Sequence, residues 1–313
     1  MGREHFVQLP HTLRVSLRQA GERIPPLREI LGEASGLRAF SDYRHEKGQY
    51  RTSTLFVTTQ EGWDSLSARL AEIRVSHRIS SRFLQYKDRR RWRRQWPGAT
   101  AAWMAAIRET PSLTICVAYS ERFGSEPASQ QIIEQATKLL RQSGRAFDGA
   151  ATLSLAQKLS PFDVLMPLLD QGVLGWVSDH DSILQGDIGT ETFAAVLDCL
   201  NPGVALVQPT YTGDLPLEAE WALTLPDIVS GTVADFCPVP LEPTTFRRGD
   251  AEPEGLQLLV ELARMGVATA ADETPAKLHV SLVDGNGIHQ TIEFRASGTD
   301  RRSVRDAGPD ATD

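Results

Sequence analysis

Two rhythms of apolar residues alternate along the chain. In "LRAFSDY" (Leu37–Tyr43) and "QYRTSTLFVTT" (Gln49–Thr59), short runs rich in Phe, Val, Thr and Tyr flank the polar turn His45-Glu46-Lys47-Gly48, which predicts a hairpin of two strands. "QEGWDSLSARLAEIR" then sets Trp63, Leu66, Leu70 and Ile73 on one helical stripe. "GATAAWMAAI" (Gly98–Ile107) predicts another helix and "SLTICVAYS" (Ser112–Ser120) a buried strand. Residues Ala128–Gln142 and Leu153–Leu169 read as helices, the second loosely patterned and broken by Pro161 and Pro167. "GVLGWVS" (Gly172–Ser178) predicts a second buried strand, which runs straight into Asp179-His180-Asp181. A helix around Thr190–Leu200, a short strand "VALVQP" (Val204–Pro209) and a helix beginning near Pro226 follow. The last apolar pattern, Lys277–Ala296, predicts a hairpin turning at Asp284-Gly285-Asn286-Gly287.

This order predicts one α/β domain over residues 37–296, a mixed sheet with helices packed on it and a C-terminal hairpin. Residues 1–36 read as an N-terminal extension in which Pro25-Pro26 opens a short helix at Leu27. Residues 297–313 hold too few apolar side chains to pack and are expected to be disordered. A chain of 313 residues buries a core without cross-links, and Cys116, Cys199 and Cys237 lack any zinc or redox spacing, so buried free thiols are expected. No leader-like or membrane-spanning apolar window occurs, which predicts a cytoplasmic protein away from membranes.

Charge sharpens this picture locally. The chain carries a formal net charge of -7, yet ten Lys and Arg residues face two acids between Arg69 and Arg94. Such asymmetry predicts an anion-binding surface on an acidic body, with Lys87, Arg89, Arg90, Arg91 and Arg94 clasping phosphates of a nucleic acid and Trp92 stacking on a base. The same pattern also fits a solvated helix whose Trp92 and Trp96, four apart, pack inward.

Acidic residues recur where strands end or helices begin. Asp42 closes the first strand, Asp179 and Asp181 follow the central one, and Asp227 falls in the first turn of a helix striped by Ile228, Val229, Thr232, Val233 and Phe236. The helix dipole alone favours an acid at Asp227. Glu218 and Glu220 precede it as further candidate ligands or a solvated face, and His279 and His289 lie in the last hairpin as a candidate metal pair or as structural histidines. His180 lies between the two acids, and strand alternation points it to the other face. No nucleophile elbow, Walker loop or dinucleotide fingerprint is present.

Four stretches together, "AFSDYRHEKGQYRTSTLFVTT", "FLQYKDRRRWRR", "GWVSDHDSI" and "LTLPDIVSGTVADF", resemble in order and spacing the bacterial family called domain of unknown function 3800, regarded as ribonuclease H-like. That family's pattern is an Asp on the first strand, a Glu near a Lys after the first helix, a DxDxI element after a central strand and a PDLxAG element opening a later helix. The resemblance spans about Leu37 to Phe236. It implies a ribonuclease H-like fold and a metal-dependent nuclease acting on DNA or RNA, with Asp42, Asp179, Asp181 and Asp227 in the catalytic set. Of these, Asp42, Asp179 and Asp227 would hold Mg²⁺ or Mn²⁺. The chain departs from the pattern at Gln85, which stands where the family has Glu and contributes an oxygen but no charge.

The chemistry asks for such residues independently. In-line attack of water on a phosphodiester is assisted by two divalent ions roughly 3.5–4 Å apart, and Mg²⁺ or Mn²⁺ take hard carboxylate oxygens rather than thiols. The alternative expectation, favoured by Gln85, is a catalytically silent ribonuclease H-like module that binds nucleic acid or protein, such as a subunit of a bacterial defence or mobile-element system. A protein partner or a homodimer is compatible with either.

Overall fold

The computed structural model describes residues 19–22, 24–33, 36–44, 50–79, 85–120, 149–169, 172–178, 204–211, 217–236, 278–284 and 287–294. Seven strands, β1 (Gly36–Arg44), β2 (Tyr50–Thr59), β3 (Ser112–Ser120), β4 (Gly172–Ser178), β5 (Val204–Tyr211), β6 (Leu278–Asp284) and β7 (Gly287–Phe294), form one sheet in the order β5-β4-β1-β2-β3-β6-β7. The β1–β2, β2–β3 and β6–β7 pairs are antiparallel, and β1–β4, β4–β5 and β3–β6 are parallel. The expected mixed α/β sheet is therefore present, with β5 and β7 at its edges. Pro209 lies in edge strand β5, where the register with β4 breaks between Gly175 and Val177, a position where a missing N–H costs the ladder little.

Both faces of the sheet are covered, which explains why the central strands read as continuous apolar runs rather than alternating ones. On one face Phe40, Phe56, Cys116, Ala118, Val177 and Val280 pack with the helices α2 (Gln60–Ser76), α3 (Arg89–Gln95), α4 (Pro97–Glu109), α6 (Leu217–Ala222) and α7 (Thr224–Phe236). On the other, Ala39, Leu55, Ile115, Val117, Leu174 and Trp176 pack with α1 (Leu27–Leu31) and α5 (Gly149–Leu165). Ile24, Ile30 and Leu31 are buried in this second layer, so the described part of the N-terminal segment contributes to the core.

Local chemistry sets the helix ends. The Thr59 hydroxyl accepts from the Gly62 N–H at 2.9 Å and caps α2, whose Leu66, Leu70 and Ile73 are buried as the stripe predicts. Pro161 does not end α5. Lacking an N–H, it leaves the Gln157 carbonyl without its helical donor, and the Ser160 hydroxyl donates to that oxygen at 2.6 Å instead. The helix expected from Pro226 begins two residues earlier, at Thr224, because the Asp227 N–H already bonds the Leu223 carbonyl at 3.1 Å. Cys116 is buried in the core, as expected. Among the described residues no helix is long and apolar enough to cross a membrane. The predicted helices over residues 128–142 and 190–200, with Cys199, Cys237 and the tail from residue 297, lie outside the described residues.

Candidate functional site

Strand alternation assigns the side chain of Asp42 to a face. Phe40, two residues earlier on β1, belongs to the layer under α7, so Asp42 shares that face, and it is 6% exposed. Its cross-strand partner is Thr54. The parallel β1–β4 ladder ends at Ser41↔Ser178, which leaves Asp42 one residue beyond the last pair. Asp179 and Asp181, with His180, lie outside the described residues.

Asp227 reaches the same face from the other side of the core. It occupies the first turn of α7, the helix laid across β1 and β2, and is half-buried. The helix is pinned one turn further on. The Ser230 hydroxyl lies 2.8 Å from Thr54 Oγ1 and 3.4 Å from the Asp42 carbonyl oxygen, and the Thr52 hydroxyl donates to the Ser230 carbonyl at 3.1 Å. One turn separates Ser230 from Asp227, a rise of about 4.5 Å. Two acids distant in sequence are thus held to one region by a serine that touches the backbone of the first and follows the second on its own helix.

Tyr86 links the basic segment to this pair. Its backbone N–H donates to Asp227 Oδ2 at 2.6 Å. Its ring lies against Gly231, where any Cβ would overlap the ring carbons, and the Arg44 guanidinium sits over the ring at 4.7 Å from its centre. Tyr86, Ser230, Gly231 and Arg44 were not singled out in the sequence. The available signal was their place inside the motifs: Tyr86 follows Gln85, Ser230 and Gly231 follow Asp227, and Arg44 follows Asp42 by two.

Other candidates are placed elsewhere. Glu218 is paired with Arg74 at 2.8 Å. His279 stands opposite Glu293 in the β6–β7 ladder, while His289 falls at the register break beside Ile288↔Val283, about 13 Å further along the strands. The two hairpin histidines are therefore not register partners. Among the described residues no three His, Cys, Asp or Glu side chains converge. Asp42 and Asp227 offer hard oxygen donors, the type that suits Mg²⁺ or Mn²⁺ rather than a thiophilic ion.

The basic segment divides by exposure. A 3-10 turn (Tyr86–Asp88) leads into α3, where Trp92 is 1% exposed and its indole N–H donates to the Gln85 carbonyl at 3.3 Å. Base stacking by Trp92 is thereby corrected: the ring belongs to the core cluster that also holds Trp103 and Trp221, since four-residue spacing on a helix turns it inward on the side of half-buried Trp96. Lys87, Arg91 and Arg94 are exposed, and Arg91 donates to Gln95 at 3.1 Å. Arg89 and Arg90 lie in α3 with side chains outside the described set.

A second polar group lies on the opposite face, beneath α5. Lys158 is 2% exposed, its ammonium 5.3 Å from the centre of the Tyr43 ring and its carbonyl accepting from the Ser53 hydroxyl at 2.9 Å. Burial pushes the Tyr119 hydroxyl well above the ordinary tyrosine range; the Ser160 hydroxyl partly opposes this and Asp163 adds to it. The indole N–H of Trp176 donates to Ser41 Oγ at 2.9 Å, and Ser41 Oγ is 2.9 Å from the Tyr43 hydroxyl. This network ties β1, β4 and α5 together.

Compared with known proteins, the chain matches no family model and no curated protein sequence. The likeness to domain of unknown function 3800 therefore rests on the four short motifs alone.

Proposed function

We propose that the chain is a ribonuclease H-like, Mg²⁺- or Mn²⁺-dependent nuclease that hydrolyses phosphodiester bonds of DNA or RNA at Asp42, Asp179, Asp181 and Asp227. The observation that carries this reading is the pinning of α7 on β1 and β2 through Ser230, which gathers Asp42 and Asp227 on one face. The sheet is compatible with it: in the run β5-β4-β1-β2-β3, β2 alone is reversed. The chain continues directly from Ser178, the last β4 residue beside Ser41, into Asp179.

The chain's own groups have definable roles in this reading. Asp42 and Asp227 present carboxylate oxygens, and the Tyr86 N–H orients Asp227 by occupying one of them. A divalent ion held there would supply charge stabilisation to the attacking and departing oxygens. The exposed Lys87, Arg91 and Arg94 offset the repulsion between an acidic body and a polyanion.

The test is a titration of Mn²⁺ into wild type, Asp42→Asn, Asp179→Asn and Asp227→Asn, reading melting temperature and cleavage of labelled DNA and RNA. Wild type is expected to be stabilised by mass action and to cleave, and each variant to lose both. A flat Mn²⁺ response in all four proteins, with nucleic-acid binding retained, supports the second reading, a silent binding module. The observation that favours it is Gln85, a neutral residue whose backbone carbonyl is engaged by Trp92.

A further inference from the structure

Arg44 occupies an unusual position for a cation. It follows Asp42 by two residues on β1, so the two side chains leave the same face about 6.7 Å apart. It is half-buried and lies over the ring of Tyr86, the residue whose N–H holds Asp227. The ring is backed by Gly231, so the guanidinium rests on a platform that cannot retreat into α7. Beyond Tyr86 the chain continues through exposed Lys87 to the exposed Arg91 and Arg94, which stand on neighbouring turns of α3. Exposed cations, with one exposed acid, Asp88, among them, thus follow Tyr86 along the chain into α3.

Resting on the nuclease reading above, we propose that Arg44 binds the backbone phosphate of the nucleic-acid strand nearest the acidic pair, and that the strand continues over Lys87 toward Arg91 and Arg94. The physical case is preorganisation. A guanidinium presents its donors in a planar fork that matches phosphate, and an aromatic platform under its face lowers the freedom lost on binding. A cation beside two carboxylates also relieves the repulsion that those acids exert on an incoming phosphate.

The experiment measures binding of short fluorescent single-stranded DNA, single-stranded RNA and duplex, with Ca²⁺ in place of the catalytic ion, across a range of salt concentrations. Arg44→Met, which keeps the cover over Tyr86, is expected to weaken binding about tenfold and to flatten the salt slope by about 0.7–0.9. The Mn²⁺-induced rise in melting temperature should persist in this variant. Arg44→Lys should keep the slope and lose affinity, since the charge remains without the fork. If wild type binds and cleaves while Arg44→Met keeps its affinity and slope, the Arg44 inference is overturned and the acidic site stands. If wild type binds none of the strands, the nuclease reading and this inference fall together. Should Arg44→Met not fold, Arg44→Lys decides, and wild-type affinity there overturns the forked contact.

Discussion

Gly231 carries the tightest demand on a single residue. In the middle of α7 a glycine costs about 1 kcal/mol against alanine, so a surface helix position there would be improved by Gly231→Ala. Here the added methyl would meet the Tyr86 ring, which is itself buried between α7 and Arg44. Overpacking of this kind costs about 1–3 kcal/mol and outweighs the propensity gain. Denaturant unfolding is expected to show a net loss of stability for Gly231→Ala, and a more stable variant would mean that Tyr86 does not pack on α7. Because the Tyr86 N–H holds Asp227, the same variant should also loosen the candidate site. None of this was visible in "PDIVSG".

The short helix α3 joins two roles that the sequence left entangled. Its spacing allowed either a base-stacking tryptophan on a basic face or a core tryptophan under a solvated one, and burial of Trp92 at 1% exposure selects the second for the ring. Trp92→Ala is therefore expected to cost about 3–5 kcal/mol of stability, read by thermal or chemical unfolding, with the salt dependence of nucleic-acid binding unchanged. Arg91 and Arg94 are exposed and outside that packing. Replacing both with Ala should leave stability within about 0.5 kcal/mol and, if α3 carries the strand, flatten the salt slope by about 1.4–1.8. A wild-type slope in the double variant would make α3 a solvated face. Two arginines further back in the basic window have acidic partners: Arg69 pairs with Glu109 at 2.7 Å and Arg74 with Glu218 at 2.8 Å.

In the molecule as a whole the two sheet faces differ in character. The α7 face gathers the acids, while the α5 face encloses Tyr119, Ser160, Asp163 and Lys158 away from water. The Tyr119 hydroxyl is held neutral by burial, so its folded-state pKa stands above the value of about 10 in the unfolded chain. The stability it contributes is complete below about pH 10 and is lost as pH rises beyond that, because only the unfolded chain ionises readily there. Tyr119→Phe should reduce the alkaline slope of unfolding free energy by about 1.4 kcal/mol per pH unit. Equal slopes in variant and wild type above pH 10 would mean that the hydroxyl is not sealed in.

The amino-acid pattern by itself determined where most described elements lie. Local sequence carries these signals, so β1, β2, β3, β4, α2 and the β6–β7 hairpin were legible from short apolar runs, helical stripe and turn chemistry. It also pointed to Asp42 and Asp227 through motif order. Their gathering was decided only in three dimensions, because it depends on α7 crossing β1 and β2 and on Ser230 meeting Thr54 and the Asp42 backbone, contacts between segments whose sequence separation carries no local signal. The same holds for Trp92, whose choice between solvent and core depended on the neighbours that α4, α6 and α7 supply.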